Sequence, residues 1–179
     1  LELAEDDDKT RFLVEYIRPP VELVVLGTGR DVAALLDVAE SLDWRVRVVG
    51  EDPMLLESKR FADVETICFG PDTDPDALGL TRNSYVVAMS HNFAWDARML
   101  PHLLASDAAY IGLLGPRRRT ARLVTQVHRD GQLSDTGGVE RALEQLAAPV
   151  GLDLGGEDPY EVAVSVVAEV VAARNGRDG

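Results

Sequence analysis

Lysine is nearly missing from this chain: of 18 basic residues only Lys9 and Lys59 are lysines, and they face 31 acids for a net charge of −13. A surface of that sign repels nucleic-acid phosphates, which excludes general nucleic-acid binding. Heavy aspartate use with little lysine fits a high-salt cytoplasm, and a GC-rich genome would explain arginine over lysine equally well. Cysteine is confined to Cys68, so no internal disulfide can form. Its apolar, strand-like surroundings predict a buried structural thiol, and a cytoplasmic protein is expected. No run of about 18 apolar residues exists, which excludes a spanning helix. The acidic start, Leu1 to Asp8, lacks the basic-then-apolar plan of a signal peptide. Of the three histidines, none has a second His or Cys at ligand spacing, so no dedicated metal site is expected. His102 and His128 read as helix surface.

What the chain does have is apolar content, 46% over 179 residues, enough for one good core. A single domain over 1–179 is expected, with an ordered core of about 12–173, an acidic tail at 1–11, and an unstructured end. β-branched runs predict strands at 21–26, 45–49, 64–69, 84–89 and 108–114. Helical spacing, as in Val32, Leu35, Leu36, Ala39 and Leu42, predicts helices over 31–42, 94–104, 117–129 and 140–146. Asp158 and Pro159 are N-cap and N1 of a last helix to about Ala173. Strands separated by helices need crossovers. The fold class is therefore α/β, a Rossmann-like doubly wound parallel sheet with helices on both faces.

Candidate chemistry gathers where strands end. Gly27-Thr28-Gly29 opens a dinucleotide fingerprint, whose glycines let a pyrophosphate approach a helix N-terminus. The pattern is incomplete: Val32 stands at the third small position, Asp31 brings negative charge, and Gly50 replaces the acid expected at the second strand's end. Packing of helix on strand explains the glycines equally well. Ser90-His91 follows the fourth strand, near the switch point where ligands gather. His91 suits phosphate binding, acid–base work, metal ligation or a plain loop. Asp96 either orients that imidazole or caps the next helix. Gly112 and Gly115 bracket the fifth strand's end, and Arg117, Arg118 and Arg119 crowd a helix N-terminus whose dipole they oppose. They point to an anionic partner or to pairing with surface acids. Gly151 to Gly155 is a tight loop against backbone or ligand. Asp153 and Glu169 are candidate functional acids that could equally cap, orient or pair, and Ser165 reads as a close helix–sheet contact.

Taken together, these blocks resemble the C-terminal domain of the xanthine dehydrogenase accessory factor (XdhC/CoxI) family. Gly27-Thr28-Gly29-Arg30 matches its glycine turn, where a histidine is usual at Arg30. Ser90-His91 matches a threonine–histidine pair, with Asp96 beyond it. Tyr110 to Arg117 matches Tyr-Ile-Gly-Leu-Leu-Gly-Ser-Arg except at Pro116, and Pro149 to Gly155 matches Pro-Ile-Gly-Leu-Asp-Ile-Gly. The last helix carries Pro159, Glu161, Ala163, Ser165 and Glu169 in the family's pattern.

The resemblance implies a helper that binds molybdenum cofactor (molybdopterin) and assists its maturation or insertion into a xanthine dehydrogenase-type or carbon monoxide dehydrogenase-type molybdenum hydroxylase. A non-catalytic chaperone is expected. By it, Gly27, Thr28, Gly29, Arg30, Ser90, His91, Gly112, Gly115, Arg117 and Arg118 form the cofactor-binding set, with His91, Asp96, Asp153 and Glu169 as candidate catalytic groups. Expected partners are the client hydroxylase, a separate N-terminal domain or a sulfurtransferase, and a second copy in a homodimer. The family's cysteine-containing N-terminal domain has no counterpart in this sequence. The alternatives are an NAD(P)-dependent oxidoreductase, weakened by Asp31 and Gly50, and a regulatory nucleotide-binding module.

Overall fold

The computed structural model describes residues 2–5, 11–15, 17–133 and 138–177. Five parallel strands make the central sheet: β3 (Glu22–Leu26), β4 (Arg45–Gly50), β5 (Glu65–Cys68), β6 (Ser84–Ala88) and β7 (Tyr110–Leu113), in the order β5-β4-β3-β6-β7. Strands β1 (Glu2–Glu5) and β2 (Arg11–Val14) pair antiparallel as a separate two-stranded sheet. Residues 2–5 are thus strand where an unstructured tail was expected; the partner strand supplies what local composition did not show. The rest of that tail at 1 and 6–10, and residues 178–179, lie outside the described residues.

Alternation along β3 divides the core. Val24 and Leu26 face the layer of α3 (Phe93–Ala105), α4 (Arg117–Arg129) and α5 (Gly138–Glu144), through Met99, Leu103, Leu123, Val127 and Ala142. Leu23 and Val25 face α1 (Arg30–Glu40) and α6 (Pro159–Arg174), through Val32, Leu35, Val166 and Val170. Period two in the strand meets period 3.6 in the helices, and each fully buried Leu or Val contributes about 1.5–3 kcal/mol. A short helix α2 (Pro53–Leu56) follows β4.

The sheet's amino edge neutralises itself. Arg47 Nη2 lies 3.1 Å from Glu22 Oε1, and its Nη1 donates to the Leu78 carbonyl at 2.7 Å. Ser84 Oγ donates to Glu22 Oε2 at 2.6 Å. Three adjacent strands are so pinned in register at the end opposite the glycine turns. At the head of α6 the expected cap is present in full: Asp158 accepts from Tyr160 N, and Glu161 accepts from Asp158 N at 3.1 Å.

Two side chains depart from expectation. Cys68 is exposed, because β5 is the outermost strand and its end is uncovered. His102 is half-buried beside the Phe69 ring, 6.4 Å between centroids, and burial lowers its pKa. Burial favours the neutral imidazole. No helix among the described residues is long and apolar enough to cross a membrane.

Candidate functional site

All of the predicted site residues except Gly112 and Glu169 sit in loops or first helical turns beyond the carboxyl ends of the strands. The structure sorts them into two regions joined by a buried carboxylate.

The first region is the turn from β3 to α1. Gly27 has φ +134, and a Cβ there would stand 2.8 Å from the Met89 carbonyl oxygen. The turn after β6 presses directly on the turn after β3, so this glycine is required by backbone packing. Gly29 is the N-cap of α1 with no side-chain cap, and Asp31 occupies the first turn. His91, itself in the left-handed region at φ +57, brings Nε2 to 3.2 Å from Asp31 Oδ2. Arg60, which no local pattern places here, donates to the carbonyls of Thr28 at 3.2 Å and Gly29 at 3.1 Å. At the end of β4, Glu51 accepts from Asn92 Nδ2 at 2.7 Å and lies 3.6 Å from Arg98 Nη2. A dinucleotide would therefore meet a carboxylate where its pyrophosphate docks, and a ribose acid already held by two side chains. Arg30 is exposed and has no polar partner among the described residues.

The connecting carboxylate is Asp96, 4% exposed. It accepts from Ser90 Oγ and from Arg119 Nη2, the latter at 2.8 Å. It neither orients His91 nor caps α3. The cap is Asn92, which accepts from Ala94 N at 3.1 Å and Trp95 N at 3.2 Å. Arg119 also lies over the Phe93 ring, 5.8 Å from its centroid. This arginine is a bolt between α4 and α3 and is unavailable to a ligand.

The second region surrounds the end of β7. Gly112 is buried in the strand, and a Cβ there would stand 2.4 Å from Val150 Cγ2. It makes room for the loop at 149–156 and not for a ligand. That loop is anchored at Gly151 (φ +100), whose N–H donates to Glu169 Oε2 at 2.7 Å. The Tyr110 hydroxyl donates to the same carboxylate oxygen. Burial, reinforced by Glu169, raises the Tyr110 pKa well above the ordinary tyrosine range. Glu169 thus ties β7, the loop and α6 together, while Ser165 packs against Gly151 of the loop and not, as expected from the sequence, against the sheet.

Between this loop and the start of α4 lies a cavity of ≈ 850 Å³, lined by Arg117, Gly151, Asp153, Gly155, Gly156 and Glu169 among others. That volume is within the range of small-molecule sites. Arg117 has no hydrogen-bond or ion-pair partner among the described residues, and neither do the backbone N–H groups of Asp153, Gly155 and Gly156. A free guanidinium among unspent amide donors suits an oxyanion such as phosphate. Asp153 is exposed on the rim. Gly115 lies just ahead of Arg117, and Arg118 is exposed outside this cavity. Of the predicted pair Arg117 and Arg118, only Arg117 lines this cavity. The functional partners missed in the sequence are Arg60, Asn92, Tyr110 and the amides of Asp153, Gly155 and Gly156. Only Asn92, three residues before Trp95, carried a readable cap signal.

Residues 23–170 match the XdhC Rossmann domain family. The chain is 28% identical over 175 residues to a Bacillus subtilis (strain 168) protein described as a probable xanthine dehydrogenase subunit, covering 97% of this chain and 49% of that protein. It is 29% identical over 170 residues to the uncharacterized protein YqeB of Escherichia coli (strain K12), covering 93% of this chain and 29% of that protein. The chain thus spans at most about half the length of these curated relatives. Among solved structures, one described as a xanthine dehydrogenase from Bacillus halodurans superposes with a TM-score of 0.69 and 28% identity, over 89% of this chain and 44% of that one. The ChuY protein of Escherichia coli CFT073, at 13% identity and a TM-score of 0.50 over 84% of this chain and 90% of that one, shares the fold alone.

Proposed function

The chain belongs to the XdhC Rossmann domain family, and from that premise we propose that it is an accessory factor for a xanthine dehydrogenase-type molybdenum hydroxylase, holding molybdenum cofactor as cargo during maturation or insertion. The observation that carries the reading is Arg117, an uncommitted cation on a cavity of ≈ 850 Å³ at the sheet's carboxyl edge. In this role Arg117 and the amides of Asp153, Gly155 and Gly156 would hold the cofactor's phosphate. Asp153 is the carboxylate available to the amino and amide edge of the pterin. Glu169 and Tyr110 keep the loop in place and do not touch cargo in this reading.

A nicotinamide reading is less well supported, because Asp31 and Glu51 stand engaged where a dinucleotide would need a neutral turn and a free acid. Partner identity follows from the family premise alone. The client hydroxylase, a sulfurtransferase and a second copy of this chain all belong to the proposal.

Calorimetric titration with molybdopterin-type cofactor, NAD, NADP and ATP tests it, on the native chain and on Arg117→Ala. Selective binding of the pterin is expected, weakened in the variant by about 1.5–3 kcal/mol, the scale of a hydrogen bond to a charged group. Selective binding of a nicotinamide nucleotide, or pterin binding indifferent to Arg117, would overturn the assignment.

A further inference from the structure

Helix α4 carries five of the chain's 18 basic residues and no acid, on a protein of net charge −13. Two of the five are already accounted for: Arg117 lines the cavity of the proposed cargo and Arg119 is bonded to buried Asp96. The others, Arg118, Arg122 and Arg129, are exposed, and none has an ion-pair partner among the described residues. Spacings of four and seven residues put all three on one face of the helix, in a row of about 16 Å.

Beside that row runs an open groove of ≈ 400 Å³ lined by Phe93, Ala121, Arg122, Thr125, Gln126 and Arg129. The half-exposed Phe93 ring forms its floor, with the Arg122 guanidinium 5.7 Å from the centroid and that of Arg119 5.8 Å from it. The carboxylate of Asp130, at the end of the helix, is already held by Gln126 at 3.0 and 3.1 Å. The guanidinium groups of Arg118, Arg122 and Arg129 remain free to meet carboxylates in bidentate fashion.

We propose that the outer face of α4 is a docking surface for an acidic, aromatic-bearing segment of another protein. The row is longer than one small anion needs, and the groove is too open to enclose one. Nucleic acid, the other extended polyanion, would have to approach a protein whose remaining surface repels it. A protein segment presents carboxylates at the row and an apolar side chain to Phe93, and it can end where the row of about 16 Å ends, whereas nucleic acid would run on over the acidic surface around it. This assignment does not depend on what occupies the Arg117 cavity.

The test is fluorescence anisotropy of a labelled synthetic peptide, glutamates around one phenylalanine, titrated with the full chain at low and raised salt. The native chain is expected to bind it with an affinity that falls as salt rises. Arg122→Glu with Arg129→Glu should weaken binding by about tenfold or more, and the reversed variant should instead take up the same peptide with lysines for glutamates. Circular dichroism checks that α4 persists; if the reversed variant unfolds, Arg122→Gln with Arg129→Gln carries the same comparison. No binding, or equal affinity for native and variant chains, overturns the proposal. So does tighter binding of a single-stranded oligonucleotide, which would make the face a nucleic-acid surface. Arginine-dependent self-association without peptide binding would overturn it in favour of a second copy of this chain.

Discussion

The turn after β3 and the loop beyond β7 are both glycine-rich, both close the carboxyl edge of one sheet, and both have an acid and a base beside them. They differ in how much of that chemistry is already spent. At the first, Asp31 meets His91, Arg60 covers the carbonyls of Thr28 and Gly29, and Glu51 is held by Asn92. At the second, Glu169 is spent on Tyr110 and Gly151, but Arg117 lines a cavity without a partner, together with Asp153, Gly155 and Gly156, whose N–H groups are unpaired among the described residues. A familiar glycine pattern therefore marks the turn whose carboxylates and carbonyls are engaged, while Arg30 and the amides of Thr28 and Gly29 have no partner among the described residues.

The largest way to break this arrangement is to cut the bolt between the two regions. Asp96→Ala leaves the partly buried Arg119 guanidinium without its carboxylate and Ser90 with only the Asn92 carbonyl, and should destabilise the fold by about 3–5 kcal/mol in urea denaturation. Gly112→Ala comes next, at about 1–3 kcal/mol, because its new methyl overlaps Val150. Adding Val150→Ala should recover part of that loss, and an additive double mutant would show that the loop does not need the glycine.

Glu169→Ala should cost about 1–3 kcal/mol by orphaning the Gly151 amide and the Tyr110 hydroxyl. It also has a pH signature. Because folding raises the Tyr110 pKa above the ordinary 10.0, the neutral phenol's contribution is complete below that pH and drains away as pH rises above it. Removing the carboxylate should lower the Tyr110 titration seen by ultraviolet absorbance, though burial will keep it above the ordinary value. The smallest effect on stability is expected at His91. His91→Gly exchanges an exposed hydrogen bond to Asp31 for relief of a left-handed backbone, within about 1 kcal/mol either way. Cofactor affinity should likewise change less in this variant than in Arg117→Ala. The reverse order would move the cargo site to the first turn.

Much of the fold was legible in the residues themselves. The runs at 22–26 and 84–88 are apolar on both faces, as buried parallel strands must be, and Asp158-Pro159 announces α6. Cys68 was misread because strand composition does not say which strand lies at the border. Glu2–Glu5 was missed because a hairpin's stability belongs to the pair and not to either strand. At the site, the glycines and arginines were visible but their division of labour was not. Tyr110 and Glu169 are 59 positions apart, and Ser90 and Arg119 reach Asp96 from opposite directions. Such partnerships are set by the packing of α6 and α4 on the sheet, which no local pattern encodes.

The segment at 147–150 has one more consequence. Ala147 N–H bonds to Ile111 O at 2.9 Å, Leu113 N–H to Ala147 O at 2.9 Å, and Val150 N–H to Leu113 O at 3.0 Å, so the outer edge of β7 is sealed. The outer edge of β5 carries no such seal among the described residues. A sheet with one closed border can grow on one side only. Two copies meeting edge to edge through β5 would exhaust both open borders at once, and the assembly would stop at two where a doubly open sheet could run on into a fibre.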